Sequence, residues 1–114
     1  MDVKNKLAIV TGGRGIIGSA ICQRLKDEGC NVIATYRNPK PSDWTTELNM
    51  RYLDLGSSES INHFVKSFYV EYGKLDVLVN CGGINIPTSF DKIDENDWNK
   101  VLDVNLKGVF LLTQ

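Results

Sequence analysis

The run "TGGRGIIG", Thr11 to Gly18, stands directly between an apolar segment, "LAIV", and a stretch of helical periodicity. A helix N-terminus leaves backbone N–H groups unpaired and carries partial positive charge, so it binds an anion wherever backbone can approach closely enough. Glycine permits that approach. Gly12 allows a sharp exit from the strand, Gly15 lets backbone lie against a phosphate, and Gly18 lets the helix pack tightly on the sheet. The G-x-x-G-x-x-G string draws its force from this strand, turn and helix setting, and a plain glycine-rich turn is the competing reading.

The rest of the chain supplies the sheet such a loop needs. The segments "KLAIVT", "NVIATY", "MRYL" and "LDVLVN" are short and rich in β-branched residues. Between them, Ile17, Ala20, Ile21 and Leu25 recur at helical spacing with Gly29 as the stop. A second helix is expected from Ser58 to Tyr72, with Ile61, Phe64, Val65, Phe68 and Tyr72 on one stripe and Gly73 at its end. A third begins near Asp94, whose carboxylate can cap free amides, and is expected to run to the end of the chain. The segment "RNPKPSDWTTELN" reads as a loop with one helical turn. Strands apolar on both faces, alternating with helices, predict an α/β fold: a Rossmann-like doubly wound parallel sheet, truncated after the fourth strand and its following helix, in a single domain over 1–114.

Charge and cysteine content narrow the function classes. The 13 Lys and Arg nearly balance 14 Asp and Glu, which argues against a binder of nucleic acid or anionic membrane. The apolar runs are far shorter than the roughly 20 residues of a membrane span, and "MDVKNK" lacks the apolar core of a signal peptide, so a cytoplasmic protein is expected. Cys22, Cys30, Cys81 and the single His63 lack metal-ligand spacing; free thiols and no metal are expected.

An acidic residue about 20 positions past the glycines holds the ribose 2'-hydroxyl in NAD sites. Here no acid lies between Glu28 and Asp43, while Arg37 follows the second strand and Arg14 sits in the loop. Two guanidinium groups suit a 2'-phosphate, so NADP(H) is preferred over NAD(H), the alternative being that Arg37 is a solvated loop residue. On the third helix Trp98, Val101, Leu102, Asn105, Val109 and Leu112 share one stripe. That places the Asn105 amide on an apolar face, where burial demands partners.

Over its whole length the chain resembles the short-chain dehydrogenase/reductase family, in its classical branch, particularly the 3-oxoacyl-acyl-carrier-protein reductases. "KLAIVTGG" is similar to the family's opening strand and turn, "YLDLGS" to its third strand, "LVNCGGIN" to its N-N-A-G element and "VLDVNLKGVFLLTQ" to its fourth major helix. The resemblance implies a cofactor set of Gly12, Arg14, Gly15, Ile16, Ile17 and Arg37, with Asp54 on the adenine and the Leu55 backbone beside it. It further implies that Asn80 supports the adenosine side, and that Gly82 and Gly83 run close to the nicotinamide ribose. Asn105 matches the tetrad asparagine, a supporting catalytic role. Two positions depart from the pattern. Ile16 stands where the middle glycine of T-G-x-x-x-G-x-G would be, giving the spacing of the extended branch, and Cys81 replaces an amide.

The family's catalytic Ser, Tyr and Lys follow the fourth major helix. The one Y-x-x-x-K string here, Tyr36 to Lys40, is broken by Pro39 and reads as coincidence. The expectation is therefore the NADP-binding part of a reductase, a fragment or a chain needing a partner, inactive alone and with a bare fourth-strand edge. The intact homo-oligomer would transfer hydride between NADP(H) and a carbonyl or hydroxyl substrate, small or acyl-carrier-bound, with a 3-oxoacyl thioester favoured. The alternatives are a non-catalytic NADP-binding module and an extended-branch sugar-nucleotide epimerase or dehydratase.

Overall fold

The structure, a computed structural model, describes residues 2–38 and 49–114. Strand β1 (Leu7–Val10) leads through the glycine loop into helix α1 (Ile16–Asp27), followed by β2 (Asn31–Tyr36) and β3 (Asn49–Tyr52). Helix α2 (Ser58–Tyr72), β4 (Val77–Val79) and a single 3-10 turn (Phe90–Lys92) come next. The last helix is composite: α3 (Glu95–Leu102), a π-helical segment (Asp103–Gly108) and α4 (Val109–Thr113). The sheet is parallel throughout, in the order β3-β2-β1-β4. The expected loop with a helical turn, like Pro39 and Lys40, falls largely outside the described residues, but Tyr36 ends β2 and is not helical.

Alternation along the central strands builds a core on each side of the sheet. Ile9 and Ile33 face α2 and meet Leu53, Leu55, Ile61, Phe64, Phe68 and Val104. Ala8, Val10, Val32 and Ala34 face the other way, onto Cys22 and Cys30, with Ile21 and Leu25 of α1 packed against them. Both faces being covered by helices is the condition for apolar runs in a parallel sheet. Helix ends follow local chemistry. Ser57 Oγ accepts the Ser60 N–H at 3.1 Å, Gly73 closes α2 at φ 75°, and the Asp94 carboxylate accepts the Asp97 N–H at 2.8 Å. Among the described residues no helix is long and apolar enough to cross a membrane, and no group of three His, Cys, Asp or Glu could hold a metal ion.

The last helix departs from the expected stripe. A π turn takes more residues than an α turn, so it rotates the faces that precede and follow it relative to one another. The inward residues are Val104 and Gly108, with Leu111 and Leu112 packed on the α2-side core, whereas Trp98 is 59% exposed and Asn105 is exposed rather than buried.

Two carboxylates tie the sheet at its base. Asp76 accepts the Leu7 N–H at 2.8 Å and lies 3.7 Å from Lys74 Nζ; chiefly that backbone hydrogen bond holds its carboxyl below the usual range. Glu71 is likewise lowered, first by its hydrogen bond from Arg51, whose guanidinium contacts both its oxygens at 2.6 and 2.8 Å. A carboxyl depressed in the folded state contributes stability above its unfolded pKa of about 4 and loses it as pH falls through the folded value. The thermal midpoint is therefore expected to hold between pH 7 and about 5 and to fall below about 4. An Asp76→Asn, Glu71→Gln double variant should show a shallower acid decline; an unchanged decline would refute the assignment.

Candidate functional site

β1 is followed in the chain by elements on both its sides, β2 on one and β4 on the other, which makes the carboxyl end of β1 the switch point where open α/β sheets bind ligands. A cleft of about 300 Å³ opens there. It is lined by Gly12, Arg14 and Gly15 after β1, by residues 35–38 at the end of β2, by Leu53 and Leu55 after β3, by residues 82–84 after β4, and by Val104. The expected residues Gly12, Arg14, Gly15, Arg37, Leu55, Gly82 and Gly83 thus come together on one surface. Ile16, Ile17, Asp54, Asn80 and Asn105 stand outside that lining.

The glycine loop is shaped by backbone contact. Gly12 turns at φ 63°, and a Cβ there would stand 2.8 Å from Gly82 Cα. Gly15 is the N-cap of α1 with no side-chain cap, and the first turn carries no acidic residue, so its amide ends suit an anion. The role expected of Gly18 is corrected. Its Cβ would lie 2.1 Å from the Gly12 carbonyl oxygen, so it packs the helix on the loop. The close approach to the sheet belongs to Gly13, whose Cβ would lie 2.5 Å from Ala34 Cβ on β2.

Thr11, which follows β1 just before the glycines, joins the two halves of the cleft. Its buried hydroxyl accepts the N–H groups of Cys81 at 3.0 Å and Gly82 at 2.8 Å, and lies 3.5 Å from the Val79 carbonyl. The available signal was a hydrogen-bonding side chain ending a strand immediately before the glycines. Cys81 packs against the α1-side core near Cys22, whose thiol is pushed up by burial and then by Cys81. Cys22 is therefore held as a neutral thiol.

At the β2 end, the Arg14 guanidinium donates to the Asn38 carbonyl, tethering the glycine loop to the β2 exit. Arg37 Nε lies 3.7 Å from Asp54 Oδ1, with the arginine side chain 52% exposed. Asp54 Oδ1 also accepts the Gly56 N–H at 2.9 Å, while the Asp54 N–H donates to Ser60 Oγ at 2.9 Å. An ion pair this exposed is weak, so Arg37 is held at the rim and remains able to turn to a stronger anion. Behind the opposite wall, Asn105 donates to the Ile84 carbonyl and accepts the Ile84 N–H, both at 2.8 Å. The amide expected to need buried partners has both of them on one residue, at an exposed position. Asn80 donates to Thr113 Oγ1 at 3.2 Å, linking the end of β4 to α4.

The residues present fit a dinucleotide: bare glycine backbone that a Cβ would obstruct, an uncapped helix start, and two guanidinium groups on one rim. The sequence model of the short chain dehydrogenase family matches residues 6–114. An acetoacetyl-CoA reductase from Allochromatium vinosum is 34% identical over 96% of this chain and 48% of its own length. The chain spans about half the length of the curated relatives it matches. Among solved structures, a short chain dehydrogenase from Leptospira borgpetersenii with bound NAD+ superposes with a TM-score of 0.84, at 29% identity, over 99% of this chain and 45% of that one. A blue fluorescent protein from a metagenomic library, in complex with NADPH, gives a TM-score of 0.86 at 26% identity, over 100% of this chain and 51% of that one.

Proposed function

The chain belongs to the short-chain dehydrogenase family, whose members bind nicotinamide cofactors, and on that premise we propose that it is the NADP(H)-holding part of a carbonyl reductase. The observation that carries the reading is the switch-point cleft with Arg14 and Arg37 on its β2 rim and, among the described lining residues, no acidic side chain, the nearest being Asp54 behind Arg37. When bound, the nicotinamide supplies hydride transfer to or from a carbonyl or hydroxyl carbon. The amide ends at Gly15, Ile16 and Ile17 hold the pyrophosphate. Arg14 and Arg37 take the 2'-phosphate, Arg37 leaving Asp54 to do so. Asp54 and the Leu55 backbone bind the adenine, and Gly82 and Gly83 let backbone approach the nicotinamide ribose. Asn80 and Asn105 act from behind the lining, on α4 and on Ile84.

A 3-oxoacyl thioester is the proposed substrate class, supported by relatives named acetoacetyl-CoA reductase. Near-balanced charge supports a small or weakly charged partner over nucleic acid or anionic membrane, and a cytoplasmic location is part of the same proposal. A homo-oligomer of the intact protein is proposed on the family resemblance alone. The test is a titration of NADPH and NADH into the wild type and Arg37→Ala. The variant should weaken NADPH by about tenfold or more, the scale of one charge-assisted contact, and change NADH by less than about twofold. Equal effects on both would remove Arg37 from the 2'-phosphate site.

A further inference from the structure

Glycine is a poor helix residue, yet Gly108 sits inside the last helix, buried. A Cβ there would stand 2.2 Å from the Leu55 carbonyl oxygen and 3.0 Å from both the carbonyl carbon and Cβ of Leu55. Helix backbone thus lies directly on the connection between β3 and α2, with no side chain between. One turn earlier, Val104 Cγ2 lies 3.2 Å from where Gly56 would carry a Cβ. Between these two contacts, Asn105 takes both the N–H and the carbonyl of Ile84, and its Oδ1 lies 3.0 Å from the Cβ position of Gly83. Leu55 closes the circuit: its Cδ1 lies 2.9 Å from the Cβ position of Gly82. One π-helical turn therefore braces two walls of the same cleft, Leu55 on one side and residues 83–84 on the other. The spacing of those walls is set by how closely the helix approaches Leu55, and only glycine at 108 allows the approach seen.

We propose that Gly108 is a positioning residue for the dinucleotide, acting through the Leu55 carbonyl to set the width of the cleft. The proposal rests on the cofactor reading given above. An added methyl forces the helix and the Leu55 turn apart by about an ångström, the difference between the present contact and ordinary van der Waals separation.

The test compares NADPH affinity in the wild type, Gly108→Ala and Gly73→Ala. Gly73 is the control because its φ of 75° strains any other residue while nothing lies within 4 Å of its Cβ position, at the end of α2 away from the cleft. Affinities are measured by calorimetry at a temperature where all three are folded by circular dichroism. Gly108→Ala should weaken NADPH by about tenfold or more, whereas Gly73→Ala should stay within about twofold of wild type despite a lowered thermal midpoint. Wild-type affinity in Gly108→Ala, or equal weakening in both variants, overturns the proposal while leaving the cofactor reading intact. A wild type that binds neither NADPH nor NADH overturns that reading and this proposal with it. A second measurement does not depend on the variant folding. By reciprocity, saturating NADPH should slow hydrogen exchange in the wild type at residues 105–108, which do not line the cleft. Unchanged exchange there overturns the proposal.

Discussion

Gly18→Ala is expected to lower the unfolding free energy by about 3 kcal/mol or more, the upper range for overpacking, and to remove dinucleotide binding with it. The cause is a single methyl placed 2.1 Å from the Gly12 carbonyl oxygen, with the Gly12 carbonyl carbon at 2.9 Å and Gly13 Cα at 3.0 Å. All three are backbone atoms, so no rotamer change relieves the contact, and either α1 shifts along its axis or the turn out of β1 opens. The helix cannot shift freely, because Gly13 already lies against Ala34 and Cys22. Gly15→Ala provides the contrast. Its φ of −69° is open to any residue and its Cβ would meet the Gly12 oxygen at 3.4 Å, an ordinary contact. That variant should remain within about 1 kcal/mol of wild-type stability while hindering the approach of a phosphate. Urea denaturation of the pair decides the matter; similar losses in both would show that the loop does not depend on the Gly18 contact.

Thr11→Val should cost roughly 2–3 kcal/mol, because it keeps the shape of the side chain and deletes the acceptor of two N–H groups, those of Cys81 and Gly82. Each of those donors is partly buried, so water replaces the hydroxyl only in part. Thr11→Ser keeps the oxygen and removes one methyl, so it should recover most of the loss, staying about 1 kcal/mol below wild type. The expected signature is a lower urea midpoint with an unchanged slope. A valine variant within about 0.5 kcal/mol of wild type would refute the role given to the hydroxyl.

These two positions also mark where sequence was informative and where it was not. Strands β1 and β2 and helix α2 were legible because their signals are local: β-branched runs, a five-residue apolar stripe, a serine that caps and a glycine that stops. The gathering of Gly12, Arg14, Gly15, Arg37, Leu55, Gly82 and Gly83 follows from topology, since the carboxyl ends of parallel strands meet at one edge of the sheet. The contacts that refine the site are non-local. The Thr11 hydroxyl finds its partner 71 positions away at Gly82, and Asn105 finds Ile84 21 positions away. The π-helical segment is explained by such tertiary contacts, Asn105 on Ile84 and Gly108 on Leu55, and a helical wheel drawn on uniform turns misplaced Trp98 and Asn105 for that reason. The Arg37–Asp54 pair was equally hidden, each residue having been assigned to a different part of the ligand.

The span between β1 and β4 has a consequence for the order in which the molecule comes together. β1 can pair with β2 after about two dozen residues of intervening chain, but its other edge waits for a strand 69 positions on, where Asp76 meets Leu7. Closing the larger loop is the slower, entropically costlier event, and the glycine turn gains the Thr11 bonds to residues 81 and 82 only when it is complete. A nascent chain that has already formed α1 therefore still lacks the finished turn proposed to hold the anion. A dinucleotide held at that turn would oppose the loss of β4 by mass action, so occupancy of the proposed site should protect a strand whose pairing closes the larger loop.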